Sequence, residues 1–247
     1  MYFLKNMLLF IFPRKCGMCE TISGSYVCDM CKRKIENSKL YLNKVNDYSK
    51  NNNKHFNEHA YIFEYNSIIR EKIIEYKFKN KPYLGKMFSE FLVKNEKMCR
   101  FFKKYDIIIP VPMTNKKIKE RGYNQTEIIA KIISKNIPNI KIQKNILTKY
   151  KDNKIQSQLN KKQRQQNVQN VYKLNNGEII KGKNILIFDD IYTTGATCNE
   201  CAKTLEGAQP NKIGIITIAK DCDKIQTKSN RKEWRNGRFS RKHIRLY

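Results

Sequence analysis

Two groups of residues in this 247-residue chain have the types and the spacing to do chemistry. The first is the segment Asn184-Ile-Leu-Ile-Phe-Asp-Asp-Ile-Tyr-Thr-Thr-Gly-Ala-Thr. Four apolar residues deliver two adjacent acids, Asp189 and Asp190, and a short run of small hydroxylated residues follows. Where such a loop opens a helix, backbone N–H groups converge on one point and the helix dipole favours a phosphate there. Thr193, Thr194 and Thr197 add hydroxyl donors, and Gly195 lets the backbone approach closely. No Gly-Lys-Ser/Thr follows, which excludes the Walker loop. The two acids have no task in a simple phosphate cradle. They suit the 2′- and 3′-hydroxyls of a ribose, a position that magnesium, with its preference for hard oxygen ligands, could share. The bland alternative is an ordinary strand, loop and helix with a threonine cap.

The second group is Cys16, Cys19, Cys28 and Cys31, spaced C-x2-C-x8-C-x2-C. Each Cys-x-x-Cys forms a knuckle whose two sulfurs face one point, and two knuckles supply the four thiolates of a closed structural zinc site. Such a site leaves no open position for water, so its role is structural or contacts nucleic acid. Two disulfides or four inert thiols are the alternative. Cys198 and Cys201 repeat the spacing on a predicted helix just after the phosphate loop. They read as buried thiols rather than a redox or metal pair. Cys99 and Cys222 have no companion. His55, His59 and His243 read as loop residues and are assigned nothing.

These groups need elements to position them. Ile107-Ile-Ile-Pro110-Val111-Pro112, Ile185 to Phe188 and Ile213 to Ala219 are apolar on both faces, as central strands of a parallel sheet require. Helical patterns lie between them, at Gln125 to Ser134 and Ala196 to Leu205. Earlier, AYIFEY from Ala60 reads as a strand. Ile69, Ile73, Ile74 and Phe78 form the apolar face of a helix, and a second helix follows Pro82. Strand alternating with helix predicts a doubly wound α/β fold. The expected domains are an N-terminal helix and zinc module over 1–42, a linker over 43–59, the α/β domain over 60–223 and a basic tail over 224–247.

Lys plus Arg number 50 against 22 acids, a net charge of +28. Codon bias accounts for much of the Lys, Asn and Ile excess, but the charge imbalance points to a polyanionic partner, nucleic acid first. The tail carries nine Lys/Arg against Glu233 alone, a net of +8, with Trp234, Phe239 and Tyr247 interleaved. Aromatic residues among cations suit single strands. Eight cysteines in a chain of this size are not the dense framework of a small secreted domain, so reduced thiols and a cytoplasmic location are expected. The apolar start MYFLKNMLLFIF is too short to span a bilayer and predicts a short helix on the body rather than a transmembrane segment.

The Asp189–Thr197 loop resembles the phosphoribosyl pyrophosphate-binding motif of type I phosphoribosyltransferases. From residue 1 to about 220 the chain resembles the ComF family, which is linked to natural competence and DNA uptake. Three further stretches carry this likeness: the four-cysteine module, Ile109-Pro-Val-Pro-Met113 with Glu120-Arg-Gly-Tyr-Asn-Gln-Thr-Glu127, and Gln156-Ser-Gln-Leu with Arg164 and Asn167. Lys77 begins a stretch similar to the family's Lys-x-x-Gly, with Asn80 in place of the glycine, and Gln158 stands where many relatives have glycine.

The resemblance implies a phosphoribosyltransferase-like parallel sheet flanked by helices, with a small N-terminal zinc module. It also implies a ligand, phosphoribosyl pyrophosphate with magnesium. Asp189 and Asp190 would hold the ribose. Thr193, Thr194, Gly195, Ala196 and Thr197 would hold the 5-phosphate. Pro112, Met113 and Arg121 would meet pyrophosphate, with Lys116, Lys117 and Lys119 either adding charge or forming a solvated face. Lys151 to Asn170 looks like the flexible loop that closes over this ligand. The implied partners are single-stranded DNA and a protein of the competence machinery. Transfer to an unidentified small acceptor without a DNA role is the alternative, and no dedicated base is visible for it.

Overall fold

The computed structural model describes residues 13–38, 41–151 and 169–222. The expected N-terminal helix, the Gln156–Leu159 segment with Arg164 and Asn167, and the basic tail lie outside the described residues.

The runs that are apolar on both faces become the centre of a six-stranded sheet. Its strands are β1 (Tyr41–Asp47), β2 (Glu58–Glu64), β3 (Ile107–Pro110), β4 (Lys141–Ile142), β7 (Asn184–Tyr192) and β8 (Lys212–Lys220). They lie in the order β1-β2-β8-β7-β3-β4. The inner pairs are parallel, with Ile107 opposite Ile185 and Ile185 opposite Ile213. A separate antiparallel pair joins β5 (Leu147–Lys149) to β6 (Tyr172–Leu174). The phosphoribosyltransferase-like sheet is therefore present, as a mixed sheet with one antiparallel edge.

That edge corrects the linker expected over 43–59. Residues up to Asp47 complete β1, and Glu58 and His59 open β2. Tyr41 and Val45 pack against the core cluster from this strand. Two apolar anchors among seven residues leave no periodicity to read. Register shifts between Tyr41 and Lys44, where Asn43 takes φ +47°.

Helices cover both faces. On one face lie α2 (Ser67–Phe78), α3 (Tyr83–Val93), α4 (Glu96–Phe102) and α6 (Gln125–Asn136), together with the cysteine module and its helix α1 (Asp29–Glu36). On the other, α7 (Ala196–Glu206) buries Cys198, Cys201, Ala202 and Leu205. A short helix, α5 (Asn115–Arg121), precedes α6. The asparagine excess has a local use here. Asn66, Asn95 and Asn124 start α2, α4 and α6, each accepting a backbone N–H with its side chain. The face of α2 is Ile69, Ile73 and Tyr76; Phe78, expected on it, is 69% exposed.

The cysteine module packs on the sheet domain. Its Cys16, Val27, Cys31 and Ile35 share a core with Leu84 and Met87 of α3. A Cβ on Gly17 would lie 2.5 Å from Met87 Sδ, so a larger residue there would have to displace that side chain.

The N-terminal rim of the sheet is closed by a buried carboxylate. Glu58 accepts from Tyr105 Oη at 2.7 Å and from Lys212 at 2.6 Å, and Lys104 reaches it at 3.1 Å. Tyr105 reaches Glu58 across Gly214, where a Cβ would lie 1.9 Å from its hydroxyl. Gly214→Ala is expected to displace this ring and destabilise the fold by about 1–3 kcal/mol, read as a lower midpoint of chemical denaturation.

Candidate functional site

Between β3 and β7 the chain path diverges. From β3 it runs through α5 and α6 to β4, on one face. From β7 it runs through α7 to β8, on the other. The carboxyl ends of these neighbours form the crevice where open α/β sheets bind ligands. Val111, Pro112 and Met113 follow β3 into it, and Asp189 to Gly195 lead out of β7 into α7.

Strand alternation sends the two acids to opposite faces. Asp190 is buried toward α2 and α6. Lys77 Nζ lies 2.8 Å from its Oδ1 and 2.7 Å from its Oδ2, and Gln125 donates to Oδ2 at 2.9 Å. Arg121 in turn donates to Gln125 Oε1 at 2.6 Å and contacts Met113 Sδ at 3.7 Å. The structure therefore brings Asp190, Arg121 and Met113 together through Lys77 and Gln125. In sequence Gln125 only opens a helical pattern within the Glu120–Glu127 block, because nothing there marks a helix glutamine as an acid's partner.

Asp189 faces α7. It accepts from the Asp190 N–H at 2.8 Å and from Cys198 Sγ at 3.8 Å. Burial, then the neighbouring Asp190 charge, pushes its carboxyl up to about 7. Burial likewise raises the Cys198 and Cys201 thiols, which lie in the core as expected rather than as a reactive pair.

The loop turns at Gly195, φ +74°, which caps α7. A Cβ there would meet the Tyr192 ring at 2.3 Å. Tyr192 is buried, and His59 stacks on it with ring centroids 4.2 Å apart. His59 is thus no loop residue; it sits fully buried in β2. Thr217 Oγ1 donates to the Ala219 carbonyl, so at 2.9 Å from His59 it accepts from Nε2–H, leaving Nδ1 bare. Burial holds His59 well below the ordinary histidine value, and it is neutral. A line of contacts, His59 to Tyr192 to Gly195, supports the loop from the next strand but one. Thr194 Oγ1 accepts from the Ala196 N–H at 3.3 Å. Thr193 lies half-buried on the same loop, and Thr197 lies half-buried in the first turn of α7.

The turn after β3 is tied down by Thr126 and Asn124, which donate to the Val111 carbonyl at 2.8 and 3.3 Å. Lys116 and Lys119 are exposed on α5. Asn80 adopts φ +47°, the left-handed conformation that a glycine would take and that asparagine tolerates.

The cysteine quartet is assembled. The four sulfurs lie within 4.8 Å of one another, and Cys19 and Cys28 are 3.7 Å apart. Four thiolates about 2.3 Å from a zinc ion are about 3.8 Å apart, so the spacing fits zinc. The Cys28 and Cys31 N–H groups donate to Cys16 and Cys28 sulfurs. The hydrogen bond between the Cys16 and Cys31 thiols lowers the first and raises the second. Among the described residues no helix is long and apolar enough to cross a membrane.

The phosphoribosyl transferase domain family matches residues 118–242, and the chain belongs to it. Three competence proteins are similar to the chain. Competence protein F of Haemophilus influenzae is 29% identical over 60% of this chain and 66% of its own length. Competence protein ComFC of Streptococcus pneumoniae is 28% identical over 66% and 68%, and that of Bacillus subtilis 26% over 64% and 62%. The chain thus spans just under two thirds of the first of these relatives, and the ComF resemblance is supported.

Asp189 makes the site costly. Its folded pKa is raised from 3.8 to about 7, so the folded state keeps a proton that the unfolded state has lost. Its contribution to stability therefore falls as pH rises from about 4 to about 7. Asp189→Asn is expected to stabilise the protein above pH ~7 by on the order of 3 kcal/mol and hardly at all near pH ~4. Thermal melts at the two pH values check the sign.

Proposed function

We propose that this member of the phosphoribosyl transferase family binds phosphoribosyl pyrophosphate with magnesium and serves natural competence as a single-stranded DNA-handling protein of the cytoplasm. The observation that carries the reading is the meeting of an acid pair with a phosphate-type loop at the carboxyl end of β7, beside the turn after β3. Asp189 and Asp190 stand on either side of the end of β7, where the ribose hydroxyls would bind. Thr193, Thr194, Gly195, Ala196 and Thr197 surround the 5-phosphate, with backbone N–H groups at the start of α7. Arg121, beside Pro112 and Met113, meets pyrophosphate with a planar guanidinium suited to two oxygens. The carboxylates of Asp189 and Asp190 would offer hard oxygen donors to magnesium, which would offset the charge of the pyrophosphate. Cys16, Cys19, Cys28 and Cys31 hold structural zinc. The net charge of +28 and the competence proteins among the relatives support the DNA partner. A protein of the competence machinery completes the proposed partners.

A second reading, transfer of the phosphoribosyl group to a small acceptor, is favoured by Asp189 alone. A carboxyl near 7 suits a base that takes the acceptor's proton as the bond to the sugar forms and pyrophosphate leaves. Asp189→Asn would then lose pyrophosphate release by a larger factor than it loses ligand binding.

Calorimetric titration with phosphoribosyl pyrophosphate and magnesium tests the main reading. Wild type is expected to bind. Asp190→Ala, which leaves Lys77 and Gln125 without their partner, is expected to weaken binding by about tenfold or more. No heat from wild type would overturn the ligand. For the DNA partner, affinity for a single strand should fall steeply with salt, and removal of residues 224–247 should flatten that slope. A slope unchanged by truncation would remove the tail from the interface.

A further inference from the structure

We propose that Phe78 is a stacking platform for a nucleobase at the mouth of the ribose-phosphate site, an inference that rests on the ligand reading above. Every other phenylalanine among the described residues is buried, whereas Phe78 is 69% exposed. Its position is fixed by its neighbours. Lys77, the preceding residue, turns inward to Asp190 at 2.7 Å, so the last residue of α2 is turned outward. The Arg121 guanidinium lies 4.9 Å from the Phe78 ring centroid. The same guanidinium donates to Gln125, which donates to Asp190. The ring is therefore one residue from the ion pair on the acid and one guanidinium from its second partner.

The chemistry of the platform names its ligand. The guanidinium lies over one face of the ring, so the other face offers stacking to a flat aromatic ring, with the cation near enough to attract a phosphate carried with it. A carboxylate acceptor would gain nothing from the ring, and an ammonium would meet the charge of the guanidinium already on it. A purine or pyrimidine combines a π-face with a place next to a sugar phosphate. Stacking tolerates every base, because each has a π-face. The base has two sources: a free base approaching the sugar as acceptor, or a base in a single strand passing the mouth of the crevice. Phe78 is on this account a specificity residue, and it takes no part in bond making.

The test compares wild type with Phe78→Ala, Phe78→Leu and Phe78→Tyr. Each is titrated with oligothymidylate and with free adenine and uracil, in the presence of phosphoribosyl pyrophosphate and magnesium. Phe78→Ala is expected to weaken at least one of these probes by about tenfold, in the range of one lost base stack, and Phe78→Tyr to restore it. A loss confined to oligothymidylate assigns the platform to a strand; a loss with the free bases assigns it to an acceptor. Equal affinity of wild type and Phe78→Ala for all probes would overturn the proposal, as would rescue by Phe78→Leu or failure of wild type to bind any probe. A Phe78→Trp, Trp234→Phe variant carries its single tryptophan at the platform, since the chain has one tryptophan. Quenching of its fluorescence by the bound probe reports direct contact, and an unquenched signal under saturating probe also overturns the proposal. The oligothymidylate titration repeated without phosphoribosyl pyrophosphate separates the two readings: a persisting Phe78 effect with no binding of phosphoribosyl pyrophosphate sinks the ligand and leaves the platform.

Discussion

Asp190 is a carboxylate buried at the end of a central strand, and a buried charge is tolerated only when it is paired and hydrogen-bonded. Lys77 comes from α2 and Gln125 from α6, so two helices must stand in register with β7 for the acid to be accommodated. Their placement is fixed by further contacts. Tyr76, beside Lys77, donates its hydroxyl to the Gln125 carbonyl at 2.7 Å, and Tyr123 donates to the Tyr76 carbonyl. The two helices that satisfy the acid are thereby bonded to each other. Gly85 on α3 lies against Tyr76, where a Cβ would be 2.5 Å from the hydroxyl, which brings the third helix into the same arrangement.

The cysteine module joins this arrangement from outside. It rests on α3 through Gly17 and through the Tyr26 N–H, which donates to Glu90 at 3.2 Å. Lys81, in the turn between α2 and α3, bridges Glu20 of the module and Glu75 of α2. The cysteine module and the acid of the crevice are thus linked through the turn between α2 and α3. The pair with Glu20 is exposed and contributes little, whereas Glu75 is buried. The effect of the two pairs here is to orient the turn that carries Lys77, Phe78 and Asn80.

The crevice was legible where one residue type has one use. Two acids after four apolar residues, a glycine in the loop that follows and two Cys-x-x-Cys pairs mark a strand, a tight turn and a sulfur cluster, and the structure has all three. The central strands were legible because burial on both faces leaves continuous apolar runs. What escaped is what depends on distant neighbours. His59 lies in a polar sequence context, yet the strand pairing puts it beside Ile215 in the middle of the sheet. Phe78 obeys the helical spacing, but the helix ends there and its ring passes beyond the core. The β1 strand has too few apolar residues to declare itself, and the opposite orientation of Asp189 and Asp190 follows from a strand that extends past both acids to Tyr192 rather than ending before them.

The irregular β1 strand has a consequence for the protein in a crowded solution. The isoleucine-rich centre of the sheet is the kind of surface that would recruit strands from other chains, were its margins straight and open. One margin is β4, only two residues long. The other is β1, broken by a register shift, with Asn43 in a left-handed conformation and Lys44 exposed. A short margin and a kinked, charged one give a second chain little to pair with, so both ends of the sheet are protected against edge-to-edge aggregation.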